Sequence, residues 1–142
     1  MRTVKSAGLV AVMTAGLLGG VAAAPSVAVS HECDRAIDMY PEDKTYAMWM
    51  PFQWEPLYQA DCLVHKGAVG SEVRAIQRAL NRCHGRSLEV DGVFGDKTFT
   101  ALKNVQSRLG LVADGVYGPK TRDAMSWPRF RESTAQFVNC VK

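Results

Sequence analysis

An eight-residue pattern is written twice in this 142-residue chain, as DGVFGDKT at 91–98 and as DGVYGPKT at 114–121. Glycine after aspartate permits positive φ in a turn, and the aspartate carboxylate can bond backbone amides two residues further on. Gly95 and Gly118 then fall where a helix begins, and Pro119 occupies the first helical position of the second copy, where its missing N–H costs nothing. The pattern therefore predicts two matching loops that each start a helix.

Three helices are expected around these loops. The first begins near Ser71, whose hydroxyl can accept hydrogen bonds from the free amides of a helix start, and Gly85 is a natural stop. Its buried stripe, at spacings of three and four, consists of Val73, Ile76, Leu80 and Cys83. The second helix is predicted over 96–109 and the third over 119–125.

The fold class predicted from these elements is mainly α. We expect a small three-helix domain with two repeated DG-x-aromatic-G loops, preceded by a loop-rich, disulfide-stapled segment. Residues 31–65 contain several prolines and no sustained period, so only one short helix, near Asp34 to Met39, is expected there. The predicted divisions are a signal peptide at 1–28, a loop-rich extension at 29–62, the helical domain at 63–127 and a tail at 128–142 tied by Cys140.

The N-terminus has the pattern of a secretory signal peptide. Arg2 and Lys5 precede an apolar run, and small residues follow it. Cleavage is expected after Ala28 rather than Ala24, because Pro25 would follow the second site. The apolar stretch approaches the roughly 20 residues of a membrane-spanning helix, so an uncleaved anchor is the alternative. We expect an extracellular or wall-associated protein with no membrane association after cleavage.

Four cysteines lie beyond the signal, at Cys33, Cys62, Cys83 and Cys140. An even number in an exported chain predicts two disulfides, for which three pairings are possible. The sequence does not choose among them. The preferred pairing joins Cys33 to Cys62 and Cys83 to Cys140, because it closes the front segment on itself and ties the tail to the helical domain.

No catalytic residue, metal or cofactor is predicted. The cysteines and the three histidines fit no compact zinc spacing, and disulfide bonding would remove both the zinc ligands and any thiol nucleophile. Glu42 and Asp43 are adjacent in a proline-containing stretch, which suits poorly the fixed carboxyl separation that glycoside hydrolysis needs. Near-neutral charge after signal removal gives no basic footprint for nucleic acid.

The chain resembles the three-helix peptidoglycan-binding domain of secreted bacterial wall hydrolases and free-standing wall proteins. The resemblance covers about 63–127 and rests on KGAVGSEVRAIQRALN and LEVDGVFGDKTFTALKNVQSRLGLVADGVYGPKT. Arg122 and Asp123 stand where many members carry an aromatic residue, and Cys83 with His84 lies outside the family pattern. The resemblance implies binding to peptidoglycan or its peptide stems without catalysis.

A ligand surface is expected where the two loops meet. Its predicted members are Asp91, Gly92, Phe94, Gln106, Asp114, Gly115 and Tyr117. The basic excess after Lys66 adds a possible attraction to anionic wall polymers, although such charge is often only a solvated surface. The alternatives are a secreted protein that binds or inhibits a protein partner on the same scaffold, and a small hydrolase that uses the front segment.

The aromatic stretch AMWMPFQWEPLY, at 47–58, has two interpretations. Its large side chains could stack on sugars, or they could pack against the helices beneath a disulfide. Packing is preferred, because a short chain has few other large residues for its core. These side chains are Trp49, Phe52, Trp54 and Tyr58.

Overall fold

The computed structural model describes residues 31–40, 45–54 and 59–142. In chain order, the elements of these ranges are β1 (Arg35–Met39), β2 (Tyr46–Phe52), α1 (Ser71–His84), α2 (Asp96–Arg108), α3 (Pro119–Ala124), β3 (Trp127–Arg131) and β4 (Phe137–Val141). The predicted signal peptide, the acidic pair Glu42 and Asp43, and Tyr58 lie outside the described residues.

The front segment and the tail together form a four-stranded antiparallel sheet in the order β1-β2-β3-β4. Asp38 lies opposite Trp49 across β1 and β2, and Ala47 lies opposite Phe130 across β2 and β3. The prediction of a mainly α fold is therefore wrong: three short helices are combined with a sheet. The helix expected near Asp34 to Met39 is strand β1, and the front segment is not predominantly loop.

The sequence hides these strands for two physical reasons. β2 reads YAMWMPF, so apolar side chains fall on both faces and the period of two is lost. Pro51 also argues against a strand, because proline cannot donate to a ladder. It is tolerated here because β3 pairs only with Tyr46, Ala47 and Met48, and the strand continues past that pairing.

The helices begin and end close to their predicted positions. Gly85 has φ of +65° at the end of α1, where its N–H donates to the carbonyl of Leu80. Gly95 and Gly118 precede α2 and α3, and Pro119 opens α3. The hydrogen bond of the Ser71 side chain differs from the prediction.

Ser71 does not cap α1 with its side chain. The residue before the helix is Gly70, which makes no side-chain capping bond. The Ser71 hydroxyl instead accepts the N–H of Ala36 in β1 at 2.8 Å. The prediction of a serine cap is thus wrong, because the sheet, which the sequence did not reveal, supplies a backbone donor to that hydroxyl. This bond joins the sheet to the start of the helical part.

One hydrophobic core joins the inner faces of α1 and α2 to the ring of each loop. Its largest members are Tyr117, Phe94, Ile76, Leu80, Leu102, Met125 and Trp127, and the Tyr117 and Trp127 rings meet edge to face at 5.9 Å. Complete burial of a side chain of this size stabilises a fold by roughly 1.5–3 kcal/mol. The core therefore lies between the two loops and explains why each repeat contains an aromatic residue.

Both disulfides have the preferred pairing. Cys33 is bonded to Cys62, and Cys83 to Cys140. The first bond holds β1 against the segment that leads into the helices, and the second joins the end of α1 to β4. Within the described ranges, every helix is too short or too polar to cross a membrane.

Candidate functional site

Gln77, on α1, fixes the first DG loop through its side-chain amide. Its Nε2 donates to Asp91 Oδ1 at 2.8 Å, to the carbonyl of Val93 at 3.1 Å and to Thr98 Oγ1 at 3.2 Å. Its Oε1 accepts the N–H of Gly92 at 3.0 Å, and Asp91 Oδ1 accepts the N–H of Val93 at 2.8 Å. We call these five residues the Gln77 lock. Because the amide is buried, the lock satisfies polar groups that water does not reach.

Gln106, on α2, fixes the second DG loop with the same set of bonds. Its Nε2 donates to Asp114 Oδ1 at 2.9 Å, to the carbonyl of Val116 at 2.9 Å and to Thr121 Oγ1 at 3.1 Å. Its Oε1 accepts the N–H of Gly115 at 2.8 Å, and Asp114 Oδ1 accepts the N–H of Val116 at 2.9 Å. These five residues are the Gln106 lock. The sequence repeat is therefore a repeated hydrogen-bond network.

The glycine of each DG pair is required by its conformation and its surroundings. Gly92 has φ of +80° and Gly115 has φ of +76°, a region that other residues rarely adopt. A Cβ atom on Gly115 would lie 2.3 Å from the ring of Phe99, and one on Gly92 would lie 2.9 Å from the carbonyl oxygen of Gly70. No larger residue fits at either position without a local shift.

The lock also sets the charge state of the first aspartate. The N–H of Val93, followed by the amide of Gln77, lowers the pKa of Asp91 below its ordinary value. Both groups donate to the ionised carboxylate and favour it over the acid. Asp91 is therefore an anion that closes its own loop at all physiological pH values.

The seven predicted ligand residues fall into two groups. Phe94, Gln106 and Tyr117 are buried in the core, and the two glycines are buried beneath their loops. Asp91 and Asp114 are exposed, but each uses Oδ1 within its lock. Each loop thus holds its own members through its lock, and the rings of Phe94 and Tyr117 are directed into the core. Their role in ligand binding stays a prediction, and we develop it below.

The two loops pair with different parts of the chain. Phe94 and Ala68 are joined by a 2.9 Å backbone bond, and the N–H of Gly70 donates to Gly92, so the first loop pairs with the residues just before α1. Tyr117 exchanges two backbone bonds with Val64, of 2.8 and 3.0 Å. The second loop therefore lies against the segment that the Cys33–Cys62 bond holds.

Exposed valines mark the first loop as the more open one. Val69 and Val93 are bridge partners and are 70% and 45% exposed. Val116 is the residue of the second copy that corresponds to Val93, and it is half-buried rather than exposed. The first loop thus presents an adjacent apolar pair to solvent, beside the exposed carboxylate of Asp91.

A groove of about 890 Å³ lies between α1 and the sheet. We call it the sheet groove, and its charged residues are Asp38, Arg78, Arg82, Arg131 and Glu132, beside Tyr40 and Trp49. Sequence reasoning missed it because half of it belongs to unpredicted strands. A signal was nevertheless present, since Arg74, Arg78 and Arg82 recur every four residues and therefore follow one side of α1.

The aromatic stretch contributes to this groove and to the sheet. Trp49 is half-buried beside Arg78, whereas Phe52 and Trp54 meet edge to face at 6.4 Å. None of the three is among the fully buried core residues, and Trp54 is 40% exposed. In the described ranges, no three His, Cys, Asp or Glu side chains converge in a way that could hold a metal ion.

Residues 69–125 match the family described as "Putative peptidoglycan binding domain". The matched segment contains both locks and all three helices. Residues 69–125 of this chain therefore belong to that family, as the sequence resemblance predicted.

Three enzymes contain stretches similar to this segment. The N-acetylmuramoyl-L-alanine amidase CwlL of Bacillus licheniformis is 39% identical over 67 residues, which are 45% of this chain and 18% of the amidase. The spore cortex-lytic enzyme of Oceanobacillus iheyensis is 36% identical over 66 residues, 46% and 24% of the two chains. The autolytic lysozyme of Clostridium acetobutylicum is 46% identical over 52 residues, 37% and 16% of the two chains. The chain spans about a quarter or less of the length of these relatives.

Two solved structures are also similar to this chain. The N-terminal domain of SleB is 37% identical, with 44% of this chain and 86% of that one covered and a TM-score of 0.41. A peptidoglycan-binding protein from Clostridioides difficile, solved in complex with glutamine hydroxamate, is 32% identical, with 62% and 54% covered and a TM-score of 0.46.

Proposed function

We propose that this chain is a secreted, non-catalytic protein that binds bacterial cell-wall peptidoglycan through residues 69–125. The observation that carries the proposal is the family match over the segment that holds both locks. The similar stretches of the amidase, the cortex-lytic enzyme and the lysozyme also lie in proteins whose names describe action on the bacterial wall or on spore cortex.

Two features support secretion. The N-terminal sequence has the order of basic, apolar and small residues that a signal peptide has. Cys33–Cys62 and Cys83–Cys140 are both bonded, and disulfides persist in oxidising compartments such as the cell exterior. Localisation at the cell surface or in the wall is part of the proposal.

The proposed wall-facing surface is the outer edge of the first DG loop. Val69 and Val93 offer an apolar pair there, and Asp91 offers a carboxylate beside it. Apolar surface beside fixed polar groups suits sugar rings and peptide backbones. The other predicted residues act through the conformation of the loops rather than through direct contact with the ligand. They are Gly92, Phe94, Gln106, Asp114, Gly115 and Tyr117.

Co-sedimentation with purified peptidoglycan tests this proposal. Residues 29–142 with both disulfides intact are mixed with peptidoglycan stripped of anionic polymers, at low and moderate salt. We expect pelleting that resists salt and weakens in Val93→Glu. Val112→Glu is the matched control, because Val112 is 81% exposed but lies outside the first loop. Soluble wall fragments are measured in the same samples, and none is expected above a buffer control.

Three outcomes would count against the proposal. A folded protein that stays in the supernatant would exclude peptidoglycan and favour the protein-partner alternative. Equal binding by both valine variants would move the surface away from the first loop. Release of wall fragments would contradict the non-catalytic assignment.

A further inference from the structure

Two arginines of α1 line one wall of the sheet groove. The guanidinium carbon of Arg78 lies 4.4 Å from the centre of the Trp49 ring, and that of Arg82 lies 5.5 Å from the centre of the Phe137 ring. Stacking on an aromatic face orients a guanidinium and leaves its N–H groups free at the edge. The two cations are one helical turn apart, so they face the same groove.

Neither guanidinium is paired with a carboxylate within the described ranges. The ion pairs of these ranges involve Arg35, His65, Lys66 and Arg122, and no acidic oxygen lies within 4.0 Å of Arg78 or Arg82. A planar, delocalised cation held in this way suits bidentate binding of a carboxylate. The α1 wall of the groove therefore presents two cations without carboxylate partners in the described ranges.

The opposite end of the groove is acidic. Asp38 is the cross-strand partner of Trp49 and shares its face of the sheet, and Glu132 lies just beyond β3. Tyr40 lines the groove with both acids, and partial burial, followed by the charges of Asp38 and Glu132, raises the pKa of its hydroxyl. One groove thus carries two cations at its α1 wall, and two anions together with Arg131 at the sheet wall.

This arrangement favours one class of ligand. A polymer that carries only phosphates would meet Arg78 and Arg82 but would be repelled by Asp38 and Glu132. A neutral glycan would leave both charged walls without partners. A short peptide with a free carboxylate and free amino groups matches both, and the groove has the volume of a small-ligand site.

We propose that the sheet groove binds a short peptide that bears both a carboxylate and an amine, namely the peptide stem of the wall polymer. Arg78 and Arg82 receive the carboxylate, and Asp38 with Glu132 receives the amine. This inference rests on the proposed function and adds a second subsite to it. Val90, the residue before Asp91, lies at the edge of the groove, so the groove continues the surface of the first DG loop.

Isothermal titration with synthetic peptides tests the groove separately from the wall. The probe is the pentapeptide L-Ala-D-isoGln-L-Lys-D-Ala-D-Ala, compared with its C-terminal amide and with its form acetylated at both amines. The glycan probe is the disaccharide N,N′-diacetylchitobiose, which carries neither a carboxylate nor a free amine. We expect binding of the free pentapeptide, weakening of about tenfold or more in each modified form, and no binding of the disaccharide.

Protein variants supply the matching half of the test. The double variant Arg78→Gln and Arg82→Gln is expected to bind the pentapeptide with an affinity lower by about tenfold or more. The control double variant is Arg86→Gln and Arg108→Gln, which removes two cations that hydrogen-bond to the carbonyl of His84 outside the groove. It should bind the peptide like the unmodified protein. Asp38→Asn should weaken the free peptide and leave the acetylated form unchanged, and thermal melts verify the fold of each variant.

The outcomes separate this inference from the proposed function. Pelleting with peptidoglycan without binding of the pentapeptide would overturn the proposed peptide site and leave wall binding intact. An equal loss of pentapeptide affinity in both double variants would do the same. Pentapeptide binding without pelleting would support the groove and overturn wall binding. Binding of a phosphodiester polymer in place of the peptide would reassign the groove to that class of ligand.

Discussion

The first and second DG loops share one hydrogen-bond network but differ in what surrounds them. Gln77 and Gln106 each hold an aspartate, a glycine amide, a valine carbonyl and a threonine hydroxyl, at distances that agree within a few tenths of an ångström. The first loop pairs with the residues just before α1, whereas the second lies against Val64 and the Trp127 ring. A duplicated local structure has thus been left open in one copy and covered in the other.

The difference separates two roles of one motif. The lock sets the loop conformation, which is common to both copies. The tertiary neighbours decide whether the loop edge faces solvent, as Val93 does, or supports the front segment, as Tyr117 does. A repeat in the sequence therefore predicts equal conformation but not equal function.

Removing the disulfide beside the second loop should have the largest effect. The Cys33–Cys62 bond closes a separation of 29 residues, so Cys33→Ala with Cys62→Ala should lower the free energy of unfolding by about 4 kcal/mol. Amide hydrogen exchange should accelerate at Val64 and Tyr117 and change little at Gly92 and Phe94. Equal acceleration in both loops would show that the two loops open as one unit.

Replacing the central glutamines tests whether the locks are equivalent. Gln77→Leu and Gln106→Leu keep the side-chain size but leave the amide of Gly92 or Gly115 without its partner. We expect each to lower the free energy of unfolding by about 3 kcal/mol in urea denaturation, with the larger loss for the covered second loop. Gln136→Leu, on an exposed turn, is the control and should change it by less than about 0.5 kcal/mol. A small loss in either lock variant would mean that the loop keeps its shape without glutamine.

Exchanging the two loop aromatics probes the polar difference between the two buried rings, Phe94 and Tyr117. Burial raises the pKa of Tyr117, and its hydroxyl, which is buried, makes no hydrogen bond within the described residues. Tyr117→Phe should therefore raise the free energy of unfolding by about 1 kcal/mol. Phe94→Tyr adds a hydroxyl at the equivalent buried position and should lower it by about 2 kcal/mol. Destabilisation by Tyr117→Phe would reveal a partner for that hydroxyl.

The smallest expected effect is a pH dependence at the end of α1. His84 Nε2 lies 3.2 Å from both the backbone nitrogen and the carbonyl oxygen of Ser126, which connects the helix of the first lock to the chain after α3. Burial lowers the pKa of His84 below its ordinary value of 6.5. The bond to the Ser126 carbonyl opposes this shift, and the charge of Arg108 adds to it. The unfolded chain thus takes up this proton at a higher pH than the folded one, and stability falls as pH drops below about 6.5.

The matched measurement is the difference between unmodified protein and His84→Gln in urea denaturation from pH 7.5 to 5. The stability of the unmodified protein relative to the variant should fall as the pH drops from 7.5 to 5. The two proteins are compared because His65 also changes stability with pH, in the opposite direction. Its pKa is raised by its bond to the Lys66 carbonyl and by Glu32. Parallel profiles would rule out His84 as the source.

The helical part of this fold was predictable because its signals are local. Gly85, Gly95, Gly118 and Pro119 fix helix ends by backbone geometry alone, and the duplicated loop needs only its own residues and one glutamine. The sheet was not predictable in the same way, because β2 and β3 pair across the whole helical part. Their apolar side chains and prolines match no local strand pattern.

The candidate site was predicted only in part for a related reason. Asp91 and Gly92 were recognised from the loop chemistry, but the inward direction of Phe94, Gln106 and Tyr117 depends on how the loops pack. The four-residue spacing of Arg78 and Arg82 can be seen in the sequence. Trp49, on which Arg78 stacks, comes from a strand that the sequence pattern does not predict. Sites that lie within one element can be inferred from sequence, and sites between distant elements cannot.

The sheet order also constrains how the molecule folds. Met48 of β2 pairs with Arg129 of β3, and α1, α2 and α3 lie between them in the chain. Closing so long a loop costs entropy unless the intervening chain is already compact. We expect α1, α2 and the two locks to form first and to bring the strands within reach, so that pairing of β2 with β3, and then of β4, is the late step of folding.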